Sequence, residues 1–254
     1  MLLHLRDNQL SRTRAYNMDE IAAIIISRNG ESKIGEAVCS VKKWVPAVHV
    51  FVDITTTDRT AAEAARHGAT VHAIQTSGCV EVALAEAHYV PGTRFILRLD
   101  DDERFVLPDD IDPIMHRQFV LGQMKSENAT QVGFYRRWLL PGQTHYISCA
   151  PWFPDTQLRL TDLQNSTIVW PRRPHESIKF HGSILYDSNA FIDHLDFCFS
   201  STEERKRKSA SYVERNPTTA GSEMYYCYEN HELTICPKHK LLPPLRPNQY
   251  QKGA

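Results

Sequence analysis

Ile21-Ala-Ala-Ile-Ile-Ile26, closed by the polar turn Arg28-Asn29-Gly30, is an unbroken apolar run rather than an alternating one. Continuous runs mark strands covered on both faces of a parallel sheet, because a half-exposed strand would alternate polar and apolar residues. Downstream of the turn, Ile34, Ala37, Val38 and Val41 fall on one helical face until Pro46 ends the pattern. Val48-His-Val-Phe-Val52 then reads as a second strand, leading into Asp53 and Ile54-Thr55-Thr56-Thr57. An alanine-rich helix over 58–66, a stop at Gly68, a short strand over 70–74 and a helix over 80–88 follow. Three successive strand-helix units predict an α/β chain built on a doubly wound sheet.

The fourth apolar run, Phe95-Ile-Leu-Arg-Leu99, ends in Asp100-Asp101-Asp102-Glu103. Ligands of open α/β sheets bind outside the carboxyl ends of the strands, so Asp53 and this acidic group are expected on one ligand-binding edge. If the acidic segment stays extended, Asp100 and Asp102 point to one side and Asp101 to the other. A pair of hard oxygen donors of that kind suits Mg²⁺ or Mn²⁺ that also binds diphosphate oxygens. The competing reading is a solvated or helix-capping acidic run balanced by Arg98 and Arg104.

Past Asp112 a helix is expected to about Lys125, then strand-like segments over 131–140, 145–149 and 157–160, so the sheet becomes mixed. Ser201-Thr-Glu-Glu204 signals the start of a last helix through a capping box. The expected organisation is an N-terminal extension over 1–18, a single domain over 19–240 and a tail over 241–254. The domain divides into two halves, 19–105 and 106–240.

The 254 residues are 42% hydrophobic and 23% charged, an ordinary globular balance, with a formal net charge of −1. Such a balance supplies no global field toward nucleic acid, which is not expected as a partner. Six scattered cysteines form no CxxC pair, so neither a zinc site nor a disulfide framework is indicated, and a reducing cytoplasm is the expected location. No run approaches the roughly 20 apolar residues of a membrane span, and peripheral membrane contact stays open.

The strand with Arg28-Asn29-Gly30-Glu31, then Asp53 with Thr55-Thr56-Thr57-Asp58-Arg59-Thr60, then Leu99-Asp100-Asp101-Asp102-Glu103 resembles, in that order, the family-two glycosyltransferases of GT-A fold. Pro154-Asp155-Thr156-Gln157-Leu158-Arg159-Leu160, His175-Glu176 and His194 are similar to the second halves of those enzymes. The sequence departs from the family where Gly30 separates Asn29 from Glu31 and where three threonines replace a glycine-containing turn.

The resemblance implies a Rossmann-like mixed sheet, with 19–105 as the nucleotide-binding half and 106–240 as the acceptor-binding half, and transfer of a sugar, with inversion, from a nucleoside-diphosphate sugar. The acceptor is left open among saccharide, lipid-linked, peptide and small-molecule classes. Asn29, Glu31, Asp53 and Asp100 would contact the nucleotide, with Asp53 at the base and Asp100 at the ribose or a metal-bound water. Asp102 and His194 would ligate Mn²⁺ or Mg²⁺. Glu176 would be the general base, with Asp155 as the alternative, and Asp101, Gln157, Arg159 and His175 would contact donor or acceptor. Against these stand plainer readings: Asp53 as a turn residue, Glu176 as a surface acid, His194 as a packed histidine, and Gln157 and Arg159 on the exposed face of a strand. Arg205-Lys206-Arg207-Lys208 reads as a solvated face rather than a phosphate clamp, and Trp138, Trp152 and Trp170 read as core rather than a platform for sugar stacking. A sugar nucleotidyltransferase or a non-catalytic carbohydrate- or nucleotide-binding protein are the rival functions. No glycine-rich, lysine-bearing phosphate loop stands in Ile21 to Ser32 to favour the former.

Overall fold

The computed structural model describes residues 20–240 apart from 174, 175 and 177, so the expected extension and tail lie outside the described residues. The first half is the predicted series: β1 (Ile21–Ser27), α1 (Ile34–Lys42), β2 (Ala47–Asp53), α2 (Thr60–Arg66), β3 (Thr70–Ile74), α3 (Val80–Ala87) and β4 (Phe95–Asp100). All seven residues of β1 are buried, and its alternate side chains feed two cores on opposite faces of the sheet. Ile21, Ala23 and Ile25 pack with Ile34, Val38 and Val41 of α1, while Ala22, Ile24 and Ile26 pack with Ala83, Leu84 and Ala87 of α3. That double burial is why the run shows no polar alternation.

The second half comprises β5 (Glu103–Val106), α4 (Pro113–Ser126), β6 (Ala129–Trp138), β7 (His145–Ile147), β8 (Asp155–Asp162), β9 (Thr167–Val169), β10 (Lys179–His181), β11 (Ser183–His194), α5 (Asp196–Phe199), α6 (Thr202–Arg215) and β12 (Ile235–Pro237). Asp112 caps α4 by accepting from Met115 N at 2.8 Å, and the capping box of Ser201 and Glu204 opens α6. The main sheet has eight strands in the order β3-β2-β1-β4-β8-β6-β11-β5. β1 to β4 are parallel, β8 lies antiparallel between β4 and β6, and β11 runs parallel to β6. The architecture is therefore a mixed α/β sheet continuous through both halves. Among the described residues, no helix is long and apolar enough to cross a membrane.

The acidic segment is not extended. Asp101 and Asp102 form a turn, and Glu103 already belongs to β5, at the far edge of the sheet, where it pairs with His194 of β11. Three peptide steps separate Asp100 from Glu103 and span at most about 10 Å. In a flat sheet, four strand intervals would put β5 about 19 Å from β4. The sheet must curl to satisfy both, and the carboxyl end of β11 is thereby drawn to the carboxyl end of β4.

Behind this closure lies a buried ion-pair group. Asp193, fully buried, accepts from Arg137 Nε at 2.7 Å, with Arg137 Nη2 at 2.6 Å and Lys238 Nζ at 2.9 Å. The group ties β6, β11 and the segment after β12 together. Replacing Asp193 by Ala strands the Arg137 guanidinium, 3% exposed, away from its carboxylate. A loss of about 3–5 kcal/mol is expected, read as a lower midpoint in urea denaturation; an unchanged midpoint would show that the pair does not hold the closure.

Candidate functional site

The loops after β1 and β2 are stitched to each other. Asn29, left-handed at φ 51, accepts from Thr57 N at 2.9 Å through its side-chain oxygen. Gly30 N donates to Thr60 Oγ1 at 2.7 Å, Glu31 N donates to Asp58 Oδ2 at 3.0 Å, and the Glu31 carboxylate pairs with Arg59. Asp53 is 2% exposed. One of its oxygens accepts from Thr55 N at 2.8 Å and from the Thr55 hydroxyl, and the other from Thr76 N at 2.8 Å and the Thr76 hydroxyl. Burial alone would raise the Asp53 pKa, but the hydrogen bonds from Thr55 and Thr76 outweigh it and hold the carboxyl ionised.

Asn29, Glu31 and Asp53 hold the rim of the edge together, and Asp53 knots the loops after β2 and β3. Ile54, 61% exposed, stands beside it. By register, Ile26 lies opposite both Phe51 and Asp100, so Asp53 and Asp100 end strands two places apart, about 10 Å across the sheet.

The four acids of the turn have four different surroundings. Asp101 turns to the β1 side, where it accepts from Ser27 Oγ at 2.6 Å and Lys33 Nζ at 3.0 Å, and so anchors the turn. Glu103 is completely buried against Arg159, and one of its oxygens accepts from Asp100 N at 3.0 Å. Asp100, its side chain 38% exposed, accepts from Arg159 Nη2 at 2.8 Å. Asp102, its side chain 10% exposed, meets β11: its backbone oxygen accepts from Leu195 N at 2.8 Å, and its Oδ1 lies 3.7 Å from His194 Nε2. Burial raises the pKa of Asp100, whereas for Asp102 the effect of burial is overcome by His194, Lys208, Lys33 and Arg136, which lower it.

His194 is 6% exposed and rests edge-on against Trp138, with ring centroids 4.1 Å apart. Burial pushes its pKa down to about 4, so the imidazole is neutral at pH 7. Its Nδ1 is buried with no hydrogen-bond partner. Among the described residues, no group of three or more His, Cys, Asp or Glu is placed to hold a metal. Asp102 and a neutral His194 bring one carboxylate oxygen and one imidazole nitrogen, donor types that a divalent cation accepts, to the same edge.

The remaining expected residues fall elsewhere. Arg159 is 1% exposed, neither on an open strand face nor open to a donor; it orients Asp100 from behind. Asp155 accepts from Arg136 Nε at 2.7 Å, Trp138 Nε1 at 2.9 Å and Gln157 Nε2 at 2.7 Å. Opposed by burial, those partners lower its pKa. Glu176 lies in the loop between β9 and β10 and accepts from Arg172 N at 2.7 Å; no described contact joins it to the acidic turn. His175 lies outside the described residues.

Sequence reasoning set Lys208 aside with the basic run as a solvated face and gave Asp196 no role. Lys208 Nζ lies 3.0 Å from Asp196 Oδ1, two residues beyond His194. The signal was present in the helix period: Arg205 and Lys208 are three apart and face inward, while Lys206 and Arg207 are exposed. The basic run is therefore a solvated face for only two of its four residues.

No family model matches the sequence, and no curated protein matches it. Similar solved structures include glucosyl-3-phosphoglycerate synthase from Mycobacterium tuberculosis, determined with Mn²⁺, uridine diphosphate and glucosyl-3-phosphoglycerate. The identity is 16% over 50% of this chain and 51% of that one, with a TM-score of 0.36. This chain thus spans about half the length of that synthase. A cytidylyltransferase from Leptospira borgpetersenii is similar at 14% identity over 57% of this chain and 61% of that one, with a TM-score of 0.35. The 4-diphosphocytidyl-2C-methyl-D-erythritol synthase of Anaerococcus prevotii is similar at 11% identity over 58% and 73%, with a TM-score of 0.34.

Gly30, the departure noted in the first loop, has a steric cause. A Cβ there would collide with Ser27 Oγ and stand 2.6 Å from Asp101 Oδ2. Gly30→Ala is expected to push the acidic turn off β1 and to cost about 1–3 kcal/mol, seen as a lower melting temperature. An unchanged melting temperature would mean that the turn accommodates the methyl group.

Proposed function

We propose that the chain is a metal-assisted, inverting glycosyltransferase that uses a nucleoside-diphosphate sugar. The observation that carries this reading is the meeting of Asp102 and His194 at 3.7 Å on the edge where Asp100 ends β4. Asp102 and His194 would hold Mg²⁺ or Mn²⁺, and Asp100, oriented by Arg159, would accept from the ribose or from a metal-bound water. The cation, when bound, stabilises the negative charge that gathers on the diphosphate. The tied loops after β1 and β2 would shape the base pocket, with the backbone and Ile54 facing the base in place of the occupied Asp53 carboxylate.

Transfer requires the acceptor oxygen to attack the anomeric carbon while the bond from that carbon to the diphosphate oxygen breaks. The bonding pair leaves with the diphosphate, and the acceptor proton passes to a base. Glu176 is the candidate for that base. Hydrogen bonding to Arg172 N, opposed by burial, lowers its pKa, so it is ionised and able to accept a proton at neutral pH.

Calorimetric titration with UDP, GDP, CDP and ADP, with and without Mn²⁺, tests the reading. At least one of them is expected to bind more tightly with Mn²⁺, and Asp102→Asn should remove that gain, a loss of about tenfold or more. Glu176→Gln should keep the binding while lowering transfer by about a hundredfold or more. Binding indifferent to both Mn²⁺ and Asp102 would overturn the metal-assisted reading, and pyrophosphate release from a nucleoside triphosphate would replace it with nucleotidyl transfer.

A further inference from the structure

We propose that Lys208 is a second cationic contact for the donor diphosphate, held at the edge by Asp196. The inference rests on the proposed use of a nucleotide donor and goes beyond it by naming a residue on the last helix as part of the phosphate site.

α6 is firmly placed. Its capping box fixes the first turn, and Arg205, 2% exposed, staples the helix to its surroundings. Arg205 Nε donates to Tyr226 O at 2.8 Å, Nη1 donates to Ser200 O at 2.6 Å, and Nη2 meets the Glu229 carboxylate. One turn further, Lys208 shares the inward face. Its side chain is 35% exposed, so the ammonium is neither sealed in the core nor released to solvent.

The ammonium has three donors. Asp196 Oδ1 takes one at 3.0 Å, and the Tyr226 ring lies beneath with its centroid 5.6 Å away. Asp196 follows His194 by two residues, so the cation is tethered beside the Asp102–His194 pair. A plain structural pair between α5 and α6 would need only Asp196. The partly open position at the strand edge adds a fixed positive charge where a diphosphate would lie. When the sugar–oxygen bond breaks, the leaving diphosphate carries one more negative charge than the bound donor, and a fixed ammonium stabilises that change.

The test compares Lys208→Gln, which keeps a hydrogen-bond donor for Asp196 but removes the charge, with Lys208→Arg, which keeps the charge. Lys206→Met, on the exposed face, is the control. Each folded variant is titrated in Mn²⁺ with UDP, GDP, CDP and ADP, with inorganic pyrophosphate, and with the free nucleoside of whichever base binds. Lys208→Gln should weaken the diphosphate and pyrophosphate by about tenfold or more while leaving nucleoside binding unchanged. Lys208→Arg should restore most of the affinity, and Lys206→Met should alter nothing. Equal pyrophosphate and nucleotide affinity in Lys208→Gln and the parent protein would overturn the assignment of Lys208 alone. If none of the four diphosphates binds the parent protein, the nucleotide-donor reading falls and this inference falls with it.

Discussion

The two-residue turn at Asp101 and Asp102 is the constraint on which the rest of the site depends. It delivers the chain from the middle of the sheet to its far edge within one short step, and only a curled sheet allows that. Because β5 pairs with the end of β11, Glu103 stands opposite His194. The donation from Leu195 N to Asp102 O fixes the same meeting from the other strand. Residues more than ninety positions apart thereby share one edge without any loop reaching across it.

Such a turn concentrates negative charge, and the fold answers with individual partners. Lys33 takes Asp101, Arg159 serves both Asp100 and Glu103, and Lys208 takes Asp196. Arg104 braces the turn by donating to Asp101 O at 3.1 Å and to Lys33 O at 3.0 Å. Buried charges are tolerable when paired and hydrogen-bonded. Asp102 differs from its neighbours because the group at its carboxylate is a neutral imidazole beyond hydrogen-bond reach.

On the other side of the edge, the threonine-rich loop has a physical account. Thr55 and Thr76 saturate Asp53, and Thr60 joins the helix start to Gly30. Side-chain hydroxyls thus rigidify the loops after β1 and β2, and Gly30 lets the acidic turn approach them closely. Ser27, Gly30 and Asp101 thus form one packed arrangement.

The sequence by itself determined the strand-helix order, because double burial of β1 and the helical faces after it leave local, periodic marks. The capping box of α6 and the Asp112 cap of α4 were equally legible, since each is a contact within four residues. It also brought Asp53 and the acidic run to one edge, because both follow strands of a parallel sheet. Which acid faces where was decided only by tertiary structure: an extended segment and a tight turn share the same four letters, and the partners Ser27, Lys33, Arg159 and His194 come from distant elements. The inward burial of Arg159 has the same cause, since charge pairing across the fold leaves no local periodicity; the split of the basic run did follow the helix period, but its partner Asp196 was supplied only by the fold.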